Sequence, residues 1–137
     1  MNTLKIKCDD REDGIIIENL RNLNIECEIC RLKTGDYIFE NVCIERKTMD
    51  DFCMSIMDGR IKSQSEKMLK NYKYNYILIS GRISDRKIEI NENCIIGMIS
   101  SLVVKGINVI CVDTDRQLAY LIKRIFERYN KNEMPKL

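Results

Sequence analysis

Two short runs in the second half of the chain, Tyr76 to Ser80 (YILIS) and Ile107 to Val112 (INVICV), limit the possible folds more than any other feature. Strands that are apolar at consecutive positions send greasy side chains to both faces of a sheet, so both faces must be covered. Gly81 ends the first run, and Gly106 separates the second from a strongly apolar helical stretch, Asn93 to Lys105. A long helix, Thr114 to Lys131, follows with Asp113 or Thr114 at its N-cap. Upstream, Leu4 to Cys8 alternates as a strand, Ile16, Leu20 and Leu23 have helical spacing, and Ile25 to Leu32 alternates again. Tyr37 to Phe39 and Val42 to Arg46 read as a hairpin around Glu40 and Asn41, where asparagine tolerates a positive φ. Thr48 to Met57 and Ile61 to Tyr72 read as helices divided by Gly59. Strands with helices on both sides predict an α/β protein, a three-layer α/β/α domain around a central mixed sheet.

With 137 residues, no linker and its one proline, Pro135, in a polar tail over 132–137, the chain is expected to form one domain over 1–131. No apolar run approaches the roughly 18 residues that span a bilayer, and the N-terminus turns charged too early for a secretory signal. A soluble, intracellular protein is expected, with no membrane partner. The absence of histidine excludes Ser/His and Cys/His triads and histidine-ligated metals. The seven cysteines read mainly as small buried residues; Cys27 and Cys30 form a CxxC, but zinc would need a second pair. Any metal is therefore expected among oxygens. Charge is segregated: residues 1–58 carry 8 Lys/Arg against 13 Asp/Glu, and residues 59–137 carry 15 against 8. The first part suits cations and the second polyanions, although a solvated surface can segregate charge without either.

A two-residue turn at Glu40 and Asn41 pairs Phe39 with Val42, Ile38 with Cys43, Tyr37 with Ile44 and Asp36 with Glu45. Two carboxylates then face each other about 5 Å apart between Cβ atoms, an arrangement that needs a compensating charge. A divalent cation is the simplest one. Lys47 projects from the same face as Glu45, and Arg46 from the other. Oxygen ligands for Mg²⁺ beside a lysine that orients water or offsets charge are what phosphodiester hydrolysis requires. On spacing alone, a surface hairpin in which Lys47 salt-bridges Glu45 or Asp36 explains the same residues.

Four further strings bear on that choice: DDRE at Asp9 to Glu12, GDY at Gly35 to Tyr37, IERKTMDDF at Ile44 to Phe52 and SIMDGRIKSQ at Ser55 to Gln64. In this order and spacing they resemble the nuclease domain of the XPF family of structure-specific DNA endonucleases, including the archaeal Hef type. The resemblance is dense over 8–64 and looser to about 130. It implies a restriction-endonuclease-like α/β/α fold and Mg²⁺- or Mn²⁺-dependent cutting of flap or forked DNA near the branch, in repair or recombination.

By the same resemblance, Asp36 and Glu45 are the principal metal ligands, Asp9 assists them, and Lys47 is the catalytic lysine. Arg11 and Glu12 complete or orient the site, Asp51 belongs to the same E-R-K-x-x-x-D motif, and Arg60 and Gln64, with Arg46, are expected to meet DNA. Asp51 equally suits the cap of the helix starting near Thr48, and Asp9 the cap of the helix after it. Lys62, Lys67, Lys70 and Lys73 read as generic surface or phosphate contacts, and Asp10 and Asp13 have no evident role. Dimerisation through the two C-terminal helices is also implied, giving a homodimer. The helix-hairpin-helix and helicase modules common in the family are not among these 137 residues, which leaves the preferred DNA structure open. A noncatalytic dimerisation or DNA-binding scaffold, or a Holliday-junction resolvase on the same fold, are the competing readings.

Overall fold

In the computed structural model residues 4–132 are described. The elements run β1 (Ile6–Asp9), α1 (Gly14–Asn22), β2 (Cys27–Cys30), β3 (Tyr37–Phe39), β4 (Val42–Thr48), α2 (Met49–Met57), α3 (Arg60–Asn71), β5 (Tyr74–Ser80), α4 (Glu92–Val104), β6 (Ile107–Val112) and α5 (Asp115–Asn130), with a single 3-10 turn at Ile83–Asp85. The six strands form one sheet in the order β2-β1-β3-β4-β5-β6. It is mixed, because β3 runs antiparallel to both β1 and β4 while β1/β2, β4/β5 and β5/β6 are parallel. The expected α/β class holds, and the expected tail lies, apart from Asn132, outside the described residues.

The apolar runs behave as their two-sided pattern requires. Leu78 joins Ile16, Leu20, Leu118, Ile122 and Phe126 in a core between the sheet and the pair α1 and α5. Ile77 and Ile79 join Phe52, Ile61, Met68, Ile95 and Leu102 in a second core beneath α2, α3 and α4. Three layers follow directly. The stripe on α5 is thereby spent on the sheet, whereas α4 keeps Ile96, Val103 and Val104 at 50%, 52% and 86% exposure.

Side-chain caps set the helix starts. Asp13, not Asp9, caps α1 by accepting the Ile15 N–H at 3.1 Å. Thr48 and Asp51 cap α2 reciprocally: Thr48 Oγ1 accepts the Asp51 N–H at 3.0 Å, and Asp51 Oδ2 accepts the Thr48 N–H at 3.4 Å. Thr114 and Gln117 do the same for α5. The hairpin register is as expected, with Phe39↔Val42, Ile38↔Cys43 and Tyr37↔Ile44. Its positive φ (49°) falls on Glu40 and not on Asn41, whose carbonyl instead accepts the Tyr74 N–H at 3.0 Å and so ties the turn to β5. Of the cysteines, Cys8, Cys43 and Cys53 are buried, but Cys94 and Cys111 are exposed, because α4 and the edge strand β6 each leave one side uncovered.

Candidate active site

Strand β4 divides its side chains between the layers. Cys43 lies in the α2/α3/α4 core and Ile44 in the α1/α5 core, so Glu45 and Lys47 take the first side and Arg46 the second. Opposite Glu45, Asp36 is pinned by its backbone: its N–H donates to Ile44 O at 2.8 Å, and its carbonyl accepts the Asp9 N–H at 2.9 Å. The preceding Gly35 has φ +80°, and a Cβ there would stand 2.5 Å from Cys43 Sγ. Only glycine lets this loop lie so close to β4.

The two carboxyls that result are in direct contact. Asp36 Oδ2 accepts the Arg46 N–H at 2.8 Å, and the rest of the group faces Glu45. Burial, followed by the charge of Glu45 and the hydrogen bond to it, pushes Asp36 up to about 8. Glu45 is also raised, first by burial, with the hydrogen bond from Asp36 and the charge of Lys47 pulling the other way. Lys47 Nζ lies 3.9 Å from Glu45 Oε2, and the lysine is 5% exposed. A buried acid pair whose ionisation is opposed by burial and by mutual charge, beside one lysine, suits a hard divalent cation, which prefers oxygen donors. Asp36 and Glu45 therefore fit such an ion.

Asp9 lines the same cleft but is already committed. Its Oδ1 accepts the Leu32 N–H at 2.9 Å, and its two oxygens take Arg11 Nη2 at 3.1 Å and Nε at 2.9 Å. These bonds outweigh its burial and hold it below the usual carboxylate range. Asp9, Asp36 and Glu45, the three expected ligands, thus line one cleft, with both Asp9 oxygens bonded to Arg11.

The cleft, about 510 Å³, is walled on one side by the loop Lys33, Thr34 and Gly35 and on the other by α3, through Arg60, Gln64 and Lys67. These three share a helix face, as the i, i+4, i+7 spacing requires. Arg60 is braced by Asp58 at 2.7 Å, and the Gln64 amide oxygen is buried without a hydrogen-bond partner. Lys67 was read from the sequence only as one of four generic surface or phosphate contacts, and Lys33 and Thr34 were not read at all. For Lys67 the signal was its register with Arg60 and Gln64; Lys33 and Thr34 lie in a loop with no periodicity to read.

Arg46 and Glu12 lie elsewhere. Arg46, 11% exposed, points to the α1/α5 side, where it pairs with Glu12 at 3.6 Å and Asp115 at 3.3 Å, its Nε lacking a partner. Glu12 accepts the Tyr37 hydroxyl at 2.7 Å and is pushed up to about 7 by burial and then by Asp36. Ser80 completes the network by donating to Asp115 at 2.9 Å. Neither residue lines the cleft; strand alternation turns Arg46, expected to meet DNA, toward the α1/α5 side. Asp51 is engaged in the α2 cap. Asp10, without an expected role, pairs with Arg31 at 2.6 Å.

A mixed sheet between helical layers, with Asp36 just before β3 and Glu45 on β4 in a basic-walled cleft and Lys47 buried beside Glu45, defines the class of α/β/α nuclease-type domains. The chain belongs to the ERCC4 domain family, whose domain matches residues 8–125. It is 29% identical over 134 residues to a 3′-flap repair endonuclease Xpf of Saccharolobus solfataricus, covering 95% of this chain and 58% of that protein. It is 33% identical over 129 residues to a putative ATP-dependent RNA helicase of Methanocaldococcus jannaschii, covering 91% of this chain and 16% of that one. The chain thus spans little more than half of the first relative and a small part of the second. XPF from Aeropyrum pernix superposes with a TM-score of 0.88 at 22% identity, covering 97% of this chain and 65% of that one. The same protein in complex with DNA gives 0.87 at 23% identity, covering 98% and 68%. The expected XPF-type fold and family are borne out.

Proposed function

We propose that the chain is a metal-dependent DNA endonuclease that hydrolyses phosphodiester bonds of flap or forked DNA near the branch, in repair or recombination inside the cell. The observation that carries this reading is the Asp36–Glu45 pair beside Lys47 at the floor of a cleft walled by Lys33, Arg60 and Lys67. Family membership and the name of the flap endonuclease relative support it. The catalytic unit is residues 1–131.

Asp36 and Glu45 would hold Mg²⁺ or Mn²⁺, with Asp9 joining if Arg11 turns to a phosphate. When bound, the cation supplies Lewis-acid polarisation of the phosphate and neutralises its charge. Lys47, beside Glu45, orients the attacking water and offsets charge on the pentavalent phosphate. Arg60, Lys33 and Lys67 hold the DNA backbone in register, and the free amide oxygen of Gln64 accepts from a bound water. Arg11 positions Asp9; Glu12 and Arg46 brace β4 from behind, and Asp51 fixes the start of α2 after the motif.

The test is cleavage of end-labelled flap, fork, four-way-junction and linear duplex DNA with Mg²⁺ or Mn²⁺. Nicking near the flap or fork branch, lost with EDTA and reduced on the order of 10³-fold in Asp36→Asn, is expected. Cutting confined to four-way junctions would indicate a resolvase, and no cutting on any substrate by a folded protein would leave a scaffold. The chain is further proposed to form a homodimer through α4, whose Ile96, Val103 and Val104 are exposed beside the edge strand β6. Light scattering should give twice the 16.1 kDa chain mass for the parent and one chain mass for Val104→Asp.

A further inference from the structure

The groove between α1 and α5 lies on the side of the sheet away from the cleft and has no part in the reaction proposed above. It holds about 420 Å³ and is lined by Asn19, Asn22 and Leu23 of α1 and by Arg116, Gln117 and Tyr120 of α5. The helix α5 buries Leu118, Ala119, Ile122, Phe126 and Tyr129, and Leu121 and Ile125 in part, yet Tyr120 remains half exposed. Arg116 lines the groove one turn before Tyr120, and Lys123 and Arg124, one turn after, stand over its ring at 5.7 and 6.0 Å from the centroid, where a stacking base would displace them toward its phosphates.

One acid engages one of these cations, and a second is turned away from them. Glu127 pairs with Lys123 at 3.0 Å, and Asp115 is turned inward to Arg46 and Ser80. The groove also offers amides of both polarities. Asn19 donates its NH₂ to Ile15 O, which leaves its carbonyl oxygen; Gln117 accepts two backbone N–H groups at its oxygen, which leaves its NH₂. A half-exposed aromatic ring, cations on either side of it and a donor and an acceptor in one groove match an unpaired nucleotide: a face to stack, a phosphate on each side and an edge that both donates and accepts. Duplex DNA hides its base faces and cannot use a single tyrosine this way.

We propose that the α1–α5 groove binds unpaired nucleotides of single-stranded DNA, with a base stacked on Tyr120 and phosphates on Arg116 and Arg124. This rests on the reading of the chain as a nuclease of branched DNA, whose substrates carry such a strand, but its test does not depend on cleavage. Fluorescence anisotropy in EDTA compares a labelled oligothymidylate of about 12 nucleotides with a duplex of equal length. Tyr120→Ala should weaken the single strand about tenfold and leave the duplex within about twofold, while Tyr120→Phe binds as the parent. Tyr120→Leu carries the same expectation if the alanine variant melts early by circular dichroism. Arg116→Gln should lower the slope of log affinity against log salt for the single strand by about 0.7.

If Tyr120→Ala binds the single strand within about twofold of the parent, or loses both ligands equally, the proposal is overturned. Tyr120-dependent binding by a chain that cuts no DNA would uphold the groove and overturn the nuclease; cutting with Tyr120-independent binding would do the reverse.

Discussion

The two sides of strand β4 form a controlled comparison, because one backbone segment presents charged residues to both. Toward α3, Glu45 and Asp36 line the cleft, and the buried Lys47 lies 3.9 Å from Glu45. Toward α5, Arg46 enters a network with Glu12, Tyr37, Asp115 and Ser80 in which each acid has a cation or hydroxyl partner. Both sets of charge are partly desolvated, but only the second is bonded mostly from within. The difference separates an acid pair that has few internal partners from a network that holds the strand. Buried charge costs free energy in either case, and only the network offsets most of that cost from within.

The largest effects should separate the sides most sharply. Asp36→Asn, inactive in cleavage, should be no less stable than the parent at pH 8, because an asparagine can keep the Arg46 N–H bond and remove one of two facing acids; urea unfolding checks this. Arg46→Met should do the opposite, costing about 3 kcal/mol in urea midpoint analysis by stranding Glu12 and Asp115. A neutral result for Arg46→Met would mean that the network is not a brace.

Next in size is the pH dependence. Asp36 is raised from 3.8 to about 8 and Glu12 from 4.5 to about 7, so the folded state binds both protons more tightly than the unfolded chain. Their contribution to stability is full below the ordinary carboxylate values and is lost as pH rises through about 7 and about 8. Asp9, lowered, works in the opposite sense and only in acid, its contribution fading as pH falls below 3.8. Thermal melts of metal-free protein should therefore decline from pH 5 to pH 9, with the upper part of the decline missing in Asp36→Asn. Mg²⁺ should raise the melting temperature at pH 8 and barely at pH 5, since it binds the deprotonated pair. A Mg²⁺ effect that persists in Asp36→Asn would place the ion elsewhere. The smallest effect is expected at the cleft wall: Lys67→Ala should weaken duplex binding a few-fold and reduce the salt slope by about 0.9, with no change in fold.

Much of this comparison was already legible in the residues. The hairpin register followed from two turn residues and alternation, so the facing of Asp36 and Glu45 and the opposite facing of Arg46 and Lys47 could be read directly. Helix starts were readable where a capping residue stood at the boundary, as at Thr48 and Thr114. Less legible was the status of Asp9, because its partners come from Arg11 and from Leu32, which lies 23 residues along the chain. For Asp51 the sequence offered a cap and a direct role as equal options, and the reciprocal bond with Thr48 shows the cap.

Local patterning by itself determined the α/β layering, the strand assignments and the acid–acid–lysine set, since periods of 2 and 3.6 residues and turn chemistry act within a few residues. The tertiary structure alone decided what encloses that set. Lys33 from a loop, Lys67 from a helix and the pair formed by Arg46 and Asp115 are brought together across long sequence separations by sheet order and helix packing. The same packing buried the apolar stripe of α5 while leaving Tyr120 and the outer face of α4 exposed. Periodicity shows that a helix has an apolar side, but the shape of its neighbours determines how much of that side is covered.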